Sequence, residues 1–158
     1  DREKTAQRFR PAPGQPTELP IPELAVWSGD RVRKDSDGYL YFVSRQDEMI
    51  KTSGYRVSPT EVEEVVYSSN LVSVAAALGL AHPILGQAIL LVVTAAQSDT
   101  ESDTLSEALL AHCRSELPNY MVPLAIIQRD SLPCNQNGKV DRKLLGNEYQ
   151  MIFQDETA

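Results

Sequence analysis

Charged side chains that could hold an anion gather around two short stretches of this chain. In the first, SRQDEMIKTSGYRVSPTEVEE (residues 44–64), Arg45 and Asp47 stand where a strand run ends, and Lys51 and Arg56 flank Gly54 in a polar turn. In the second, Lys139 follows Asn137-Gly138, a pair that favours a tight turn projecting the next side chain. A third turn, Ser28-Gly29-Asp30, ends in a carboxylate. Guanidinium and ammonium groups on turns donate to anionic oxygens, and an ionised Asp accepts from hydroxyls. Residues 30–56 hold six Lys/Arg against five Asp/Glu, and residues 129–143 hold four against two, in a chain of net charge −7. Local cations in an acidic protein fit a small anionic ligand. Charge alone favours the plainer reading, ordinary solvated loops.

The same balance argues against a general nucleic-acid binder. No apolar run approaches the roughly 20 residues of a membrane span. Cys113 and Cys134 stand far apart without a CxxC, so zinc and redox motifs have no support, no metal site is expected, and a reducing compartment fits. The opening stretch lacks a start Met and a signal-peptide pattern, and reads as the interior of a longer chain.

The elements that must position these residues follow in order. The prolines between Pro11 and Pro22 lead to the expectation of loop over residues 1–24, with a short strand near 23–27 and Trp27 in the core. Asp37-Gly38 between alternating apolar runs predicts a hairpin of residues 31–34 and 39–43. Residues 49–51 and 55–57 are expected to pair around Thr52-Ser53-Gly54. Ser58 reads as an N-cap, Pro59 as the first helical residue and Glu61 as the reciprocal half of a capping box. The helix over 59–69 would bury Val62, Val65 and Val66. Residues 72–80 and 88–95 are predicted strands, and the second is apolar enough to be buried on both faces. Leu105, Leu109 and Cys113 mark a second helix that Pro118 stops. Residues 124–128 form a third strand, 132–143 a loop, and the chain after 147 a frayed tail. Tyr120 and Met121 read as packing, and His82 and His112 as structural.

With these elements in place, three motifs resemble those of one family in the same order. Ser28-Gly29-Asp30 resembles its Ser/Thr-Gly-Asp motif. Arg45-x-Asp47, continuing through Ile50-Lys51-x-x-Gly54-x-Arg56-Val57 to Glu61-Val62-Glu63, resembles its hinge and following loop. Leu132-Pro133 with Asn137-Gly138-Lys139-Val140-Asp141-Arg142 resembles its C-terminal lysine motif. The chain is thus similar to the C-terminal region of the adenylate-forming superfamily, which contains AMP-dependent acyl-CoA synthetases, peptide-synthetase adenylation domains and luciferases. A narrower resemblance is to bacterial acyl-CoA ligases encoded beside exosortase-linked polysaccharide systems. Two positions depart from the pattern: Ser44 stands where Gly usually precedes the Arg, and Asn135 where Thr is frequent.

The resemblance implies an α+β fold, a small three-stranded sheet with flanking helices plus a β-hairpin, preceded by a remnant of the β-barrel subdomain of a large N-terminal domain. Residues 1–46 would end that large domain, 47–147 form the lid domain, and 148–158 a disordered tail. It implies activation of a carboxylate by ATP to an acyl-adenylate, then transfer to coenzyme A, in the cytoplasm. Lys139 would be catalytic, Asp30 and Arg45 would bind nucleotide, Asp47 would be the hinge, and Gly54 and Arg56 would serve the thiol. Mg2+ would be held mainly by the N-terminal domain, which is the principal partner. The alternatives are an adenylation domain that loads an acyl carrier protein and a non-catalytic module of the same fold. Each residue also has a plainer reading: an Asx turn for Asp30, a surface ion pair for Arg45, a cap for Asp47, a turn glycine for Gly54, a strand-edge Arg for Arg56 and a solvated Lys139.

Overall fold

A computed structural model describes residues 2–14, 21–45, 48–97 and 102–154, without the side chains of Lys4, Gln7, Val43, Ser44 and Arg45. Asp47, expected to be the hinge, the side chain of Arg45, residues 15–20 of the proline-rich stretch, residues 98–101 and the last four residues lie outside that description. The chain divides into two compact units, Asp1–Asp47 and Glu48–Ala158.

The first unit opens with a helix, α1 (Arg2–Arg8), and a strand, β1 (Phe9–Pro11), where loop was expected. The segment REKTAQR contains no Gly or Pro and several good helix formers, and the prolines that argued for loop begin only at Pro11. Strand β1 pairs antiparallel with β2 (Leu24–Val26). The predicted hairpin follows as β3 (Asp30–Lys34) and β4 (Leu40–Arg45), closed by Asp35, whose Oδ1 accepts from the N–H groups of Asp37 (3.0 Å) and Tyr39 (2.9 Å). Two separate two-stranded ribbons close no barrel and bury little on their own. Trp27, expected in a core, is accordingly 49% exposed in this unit.

The second unit contains one five-stranded sheet. Its hairpin β5 (Ile50–Thr52) and β6 (Tyr55–Val57) leads into helix α2 (Pro59–Ser68), then β7 (Val72–His82), β8 (Gly86–Ala95), helix α3 (Ser102–Glu116), a 3-10 turn (Asn119–Met121), β9 (Ala125–Gln128) and helix α4 (Arg142–Glu148). The expected three strands are β7, β8 and β9: β8 pairs antiparallel with β7 along its length and parallel with β9. The β5–β6 hairpin joins them through Thr52 opposite Gly86, which extends the sheet to five strands.

The continuous apolar run in β8 has a simple consequence. Ile89, Leu91 and Val93 point to one face, with Val62, Val66, Leu105, Leu109 and Cys113 of α2 and α3. Ala88, Leu90 and Val92 point to the other, with Leu132, Leu145 and Phe153. The strand is apolar throughout because it is covered on both sides. Residues 148–154, expected to fray, therefore help cover the second face, where Phe153 is only 2% exposed. Helix α4, which falls largely between the expected loop (132–143) and the expected tail, supplies Leu145 there; Asp141 caps it by accepting from the N–H of Leu144 (3.0 Å). Helix α2 starts at Pro59 as predicted, but Ser58 makes no side-chain cap bond, so the capping box does not form. Ser58 is instead buried. On the same helix Val65 is only half-buried, and Glu63 takes a place on the inward side. No helix among the described residues is long and apolar enough to cross a membrane.

One close approach fixes the hairpin to the sheet. A Cβ at Gly79 of β7 would lie 2.8 Å from Cγ2 and 3.0 Å from Cγ1 of the buried Ile50. Overpacking a core position by one methyl destabilises by about 1–3 kcal/mol. Gly79→Ala should lower the urea midpoint of unfolding accordingly, with little change in slope; an unchanged midpoint would mean that β5 yields at no cost.

Candidate functional site

The lysine loop is closed from both sides by its own backbone and one amide. Cys134 and Val140 form an isolated antiparallel bridge. Asn135 donates its N–H to the carbonyl of Lys139 (2.7 Å), and its Oδ1 accepts from the N–H groups of Asn137 (2.9 Å) and Lys139 (3.1 Å). Gly138 completes the turn at φ +73°. Asn135, one of the two departures from the family pattern, is thus the residue that folds the loop, as the short amide of an Asx turn does. The ammonium-bearing side chain of Lys139 leaves an ordered backbone into solvent.

Behind the loop lies a pair that the sequence reading passed over. Arg142 donates from Nη1 and Nη2 to the two oxygens of Glu63 (2.6 and 2.9 Å) and from Nη1 to the carbonyl of Ala77 (3.0 Å). Glu63 Oε1 also accepts from the N–H of Ala77 (2.7 Å). Burial alone would pull the Arg142 pKa down, but the hydrogen bonds and charge of Glu63 outweigh it and hold the guanidinium above its ordinary value. The signal was present: residues 59, 62, 63 and 66 share the buried side of α2, and an acid on that stripe needs a partner.

The hairpin that carries Gly54 and Arg56 turns through Ser53 (φ +50°) and Gly54 (φ +82°). Two consecutive positive φ values are those of a type I′ turn, whose twist suits a tight hairpin. The turn is tied down by Ser53 N–H to the carbonyl of Leu85 (2.9 Å) and by Lys51 N–H to Oε1 of Gln87 (2.7 Å), whose Nε2 in turn donates to the carbonyl of Gly79 (3.2 Å). Tyr55 stacks on Tyr120 of the 3-10 turn at 4.1 Å and 12°. Tyr120 and Met121 therefore do pack, as expected. At the hairpin tip a Cβ on Gly54 would meet nothing within 4 Å. Lys51 and Arg56 are direct cross-strand partners, both exposed. Like charges so placed repel, and an anion between them relieves that.

In the first unit the hairpin register brings Asp30 opposite Arg45. A regular ladder would put Asp30 opposite Ser44; a bulge between Arg31 and Val32 shifts it by one. Gly29 sits at φ +83°, and Ser28 Oγ accepts from the N–H of Asp30 (3.2 Å), which helps to close the turn. The two histidines are structural: His82 Nδ1 accepts from the N–H groups of Ile84 (3.1 Å) and Leu85 (3.2 Å), and His112 Nε2 bonds Val65 O and Ser68 Oγ, each at 3.0 Å, across α2 and α3. Among the described residues no group of three or more His, Cys, Asp or Glu could hold a metal ion.

Comparison with known proteins fits this arrangement. The family model of the AMP-binding enzyme C-terminal domain matches residues 61–139. The chain is 39% identical over 119 residues to an acetyl-coenzyme A synthetase of Rhizobium meliloti (strain 1021), covering 75% of this chain and 18% of that protein. It superposes on ATP-bound MatB from Rhodopseudomonas palustris with a TM-score of 0.78 at 25% identity, over 96% of this chain and 27% of that one. It superposes on o-succinylbenzoate CoA synthetase from Bacillus subtilis, in complex with its acyl-adenylate intermediate, with a TM-score of 0.66 at 26% identity, over 76% and 24%. The chain spans less than a fifth of the first of these relatives, the acetyl-coenzyme A synthetase. With a matched segment that runs from Glu61, just after the Gly54–Arg56 hairpin, to Lys139 of the lysine motif, the chain belongs to the AMP-binding enzyme C-terminal domain family of the adenylate-forming superfamily.

Proposed function

We infer that this chain is the C-terminal part of an AMP-forming acid–thiol ligase. A carboxylate attacks the α-phosphate of ATP, forming an acyl-adenylate and releasing pyrophosphate. The thiol of coenzyme A then attacks the acyl carbon, and AMP leaves. The observation that carries this reading is the Lys139 loop, an ordered turn that presents one ammonium group within a domain of this family. The first half-reaction brings two anions together. Two unit charges about 4 Å apart repel by roughly 4 kcal/mol at an effective dielectric of ~20. A cation that touches both oxygens offsets that repulsion and stabilises the charge that builds in the transition state.

Asp30 would accept from the ribose hydroxyls, and Arg45, its cross-strand partner, would bind nucleotide phosphate or ribose. Residues 1–46 are read as the end of a large adenylation domain and residues 47–147 as its lid. Asp47 is the proposed pivot, so that the lid presents Lys139 in one half-reaction and the Gly54–Arg56 hairpin in the other. Lys51 and Arg56 would meet the phosphates of coenzyme A, and Gly54 would leave room for its thin pantetheine arm. In this reading the Mg2+ that accompanies ATP is held mainly by the N-terminal domain. The similarity to an acetyl-coenzyme A synthetase and to o-succinylbenzoate CoA synthetase supports coenzyme A as the acceptor. Both ATP and coenzyme A are cytoplasmic, and we place the enzyme there.

The test uses the full-length protein with ATP and a panel of carboxylates. The expected result is carboxylate-dependent pyrophosphate exchange without coenzyme A, and AMP plus a thioester once it is added. Release of ADP, or no exchange with any carboxylate, would remove the reading. Transfer to a phosphopantetheinylated carrier protein and not to coenzyme A would reassign the chain to a carrier-loading adenylation domain.

A further inference from the structure

We propose that Arg142 and Glu63 are positioning residues for Lys139, which hold the lysine loop at one place on the domain. This rests on the reading of Lys139 as the cation of the adenylation step. Arg142 stands three residues after Lys139, and both sides of the loop converge on it. Val140 is bridged to Cys134, and the N–H of Asp141 donates to the carbonyl of Pro133 (2.7 Å). The next residue is the anchor. Its planar fork meets both oxygens of Glu63, a geometry that fixes direction as well as distance.

The other end of the anchor is equally defined. Strand β7 is an edge of the sheet. At Ala77 both backbone groups are taken by the pair: the N–H donates to Glu63 and the carbonyl accepts from Arg142. An edge strand leaves such groups open, and here two side chains complete the ladder as a neighbouring strand would. Glu63 is 7% exposed and the Arg142 side chain 30%, so a buried acid receives a half-buried guanidinium. Glu63 lies on α2, which follows directly on the hairpin that carries Gly54 and Arg56. One ion pair therefore fixes the lysine loop to the frame on which the thiol hairpin is built.

A pair that served stability alone would affect both half-reactions together when weakened. A positioning pair affects the step that needs Lys139. In the full-length protein, Glu63→Gln keeps an acceptor for Ala77 and loses the charge, while Arg142→Lys keeps the charge and loses the fork. Each should reduce carboxylate-dependent pyrophosphate exchange by about 10- to 100-fold, as a misplacement on the order of 1 Å does. Thioester formation from supplied acyl-adenylate and coenzyme A should stay within about threefold, since that step does not use the loop. Unchanged exchange, an equal loss in both half-reactions, or failure of both variants to fold would each overturn the proposal, the last two because they leave the pair a structural role only. Lys139→Ala measured in parallel separates the two levels. If it spares exchange, the role of Lys139 fails and takes this inference with it. If it abolishes exchange while the two anchor variants do not, only the positioning role fails.

Discussion

Lys139→Ala in the full-length protein is expected to lower carboxylate-dependent pyrophosphate exchange by roughly 100- to 1000-fold, the range seen when one preorganised stabiliser of transition-state charge is removed. Thioester formation from supplied acyl-adenylate should remain near the unmodified rate. The structure explains why the effect should be chemical and not a loss of fold. What shapes the loop is the Asn135 amide, the Cys134–Val140 bridge and Gly138, and the contacts of Lys139 in it are made by its backbone N–H and carbonyl. Lys139 itself is exposed. Truncating such a side chain changes stability by no more than about 0.5 kcal/mol. Lys139→Arg sharpens the test: it keeps the charge but replaces a compact ammonium by a broad fork, so partial recovery is expected at most. Exchange that survives Lys139→Ala would show that the ammonium does not meet the reacting oxygens.

What could be read from the sequence divides along a physical line. Local signals were sufficient where the responsible residues are neighbours. Pro59 after Ser58 gives the start of α2, Asp37-Gly38 gives the β3–β4 hairpin, and Ser53-Gly54 gives a turn that needs two positive φ values. Signals failed where the partner is distant. Glu63 and Arg142 are 79 residues apart, and neither has a local pattern that names the other. The register of Asp30 against Arg45 depends on a bulge, and a bulge leaves no trace in alternation that five residues can carry.

The missed cover of the sheet was different in kind, because the inference was available. A β8 strand apolar at every position from Ala88 to Val93 requires a second layer, and α2 with α3 supplies only one. Leu132, Leu145 and Phe153 provide the buried residues of the other, with Val140 and Tyr149 packed against them. Leu132 lay in the expected loop and Phe153 in the expected tail, while residues 144–147 were assigned to no element; the short helix α4 contains Gly146 and carries Leu145. Burial demand on the central strand was stronger evidence than helix propensity in the last segment.

Gly54→Leu is expected to act on the opposite half of the reaction. Adenylation should be spared to within about threefold, and thioester formation should fall by at least about 100-fold, because a side chain at the hairpin tip fills space that the pantetheine arm needs. Two effects of the substitution must be separated. Gly54 has φ +82°, and a residue with a Cβ in that region is strained by roughly 1–2 kcal/mol. Against that, a Cβ there meets nothing within 4 Å, so the domain itself offers no clash. The hairpin also has independent supports in the Ser53–Leu85 and Lys51–Gln87 hydrogen bonds, the Tyr55–Tyr120 stack and the buried pair Ile50 and Val57. Strain of this size should soften the turn without releasing it. Gly54→Asn separates strain from bulk, since Asn adopts positive φ readily yet still carries a side chain. If bulk is the cause, Asn and Leu both block thioester formation, and Leu does so more strongly at equal adenylation. If strain is the cause, Asn resembles the unmodified protein, Leu loses both half-reactions with a lowered Tm, and Gly54 is then a turn glycine with no place along the path of the thiol.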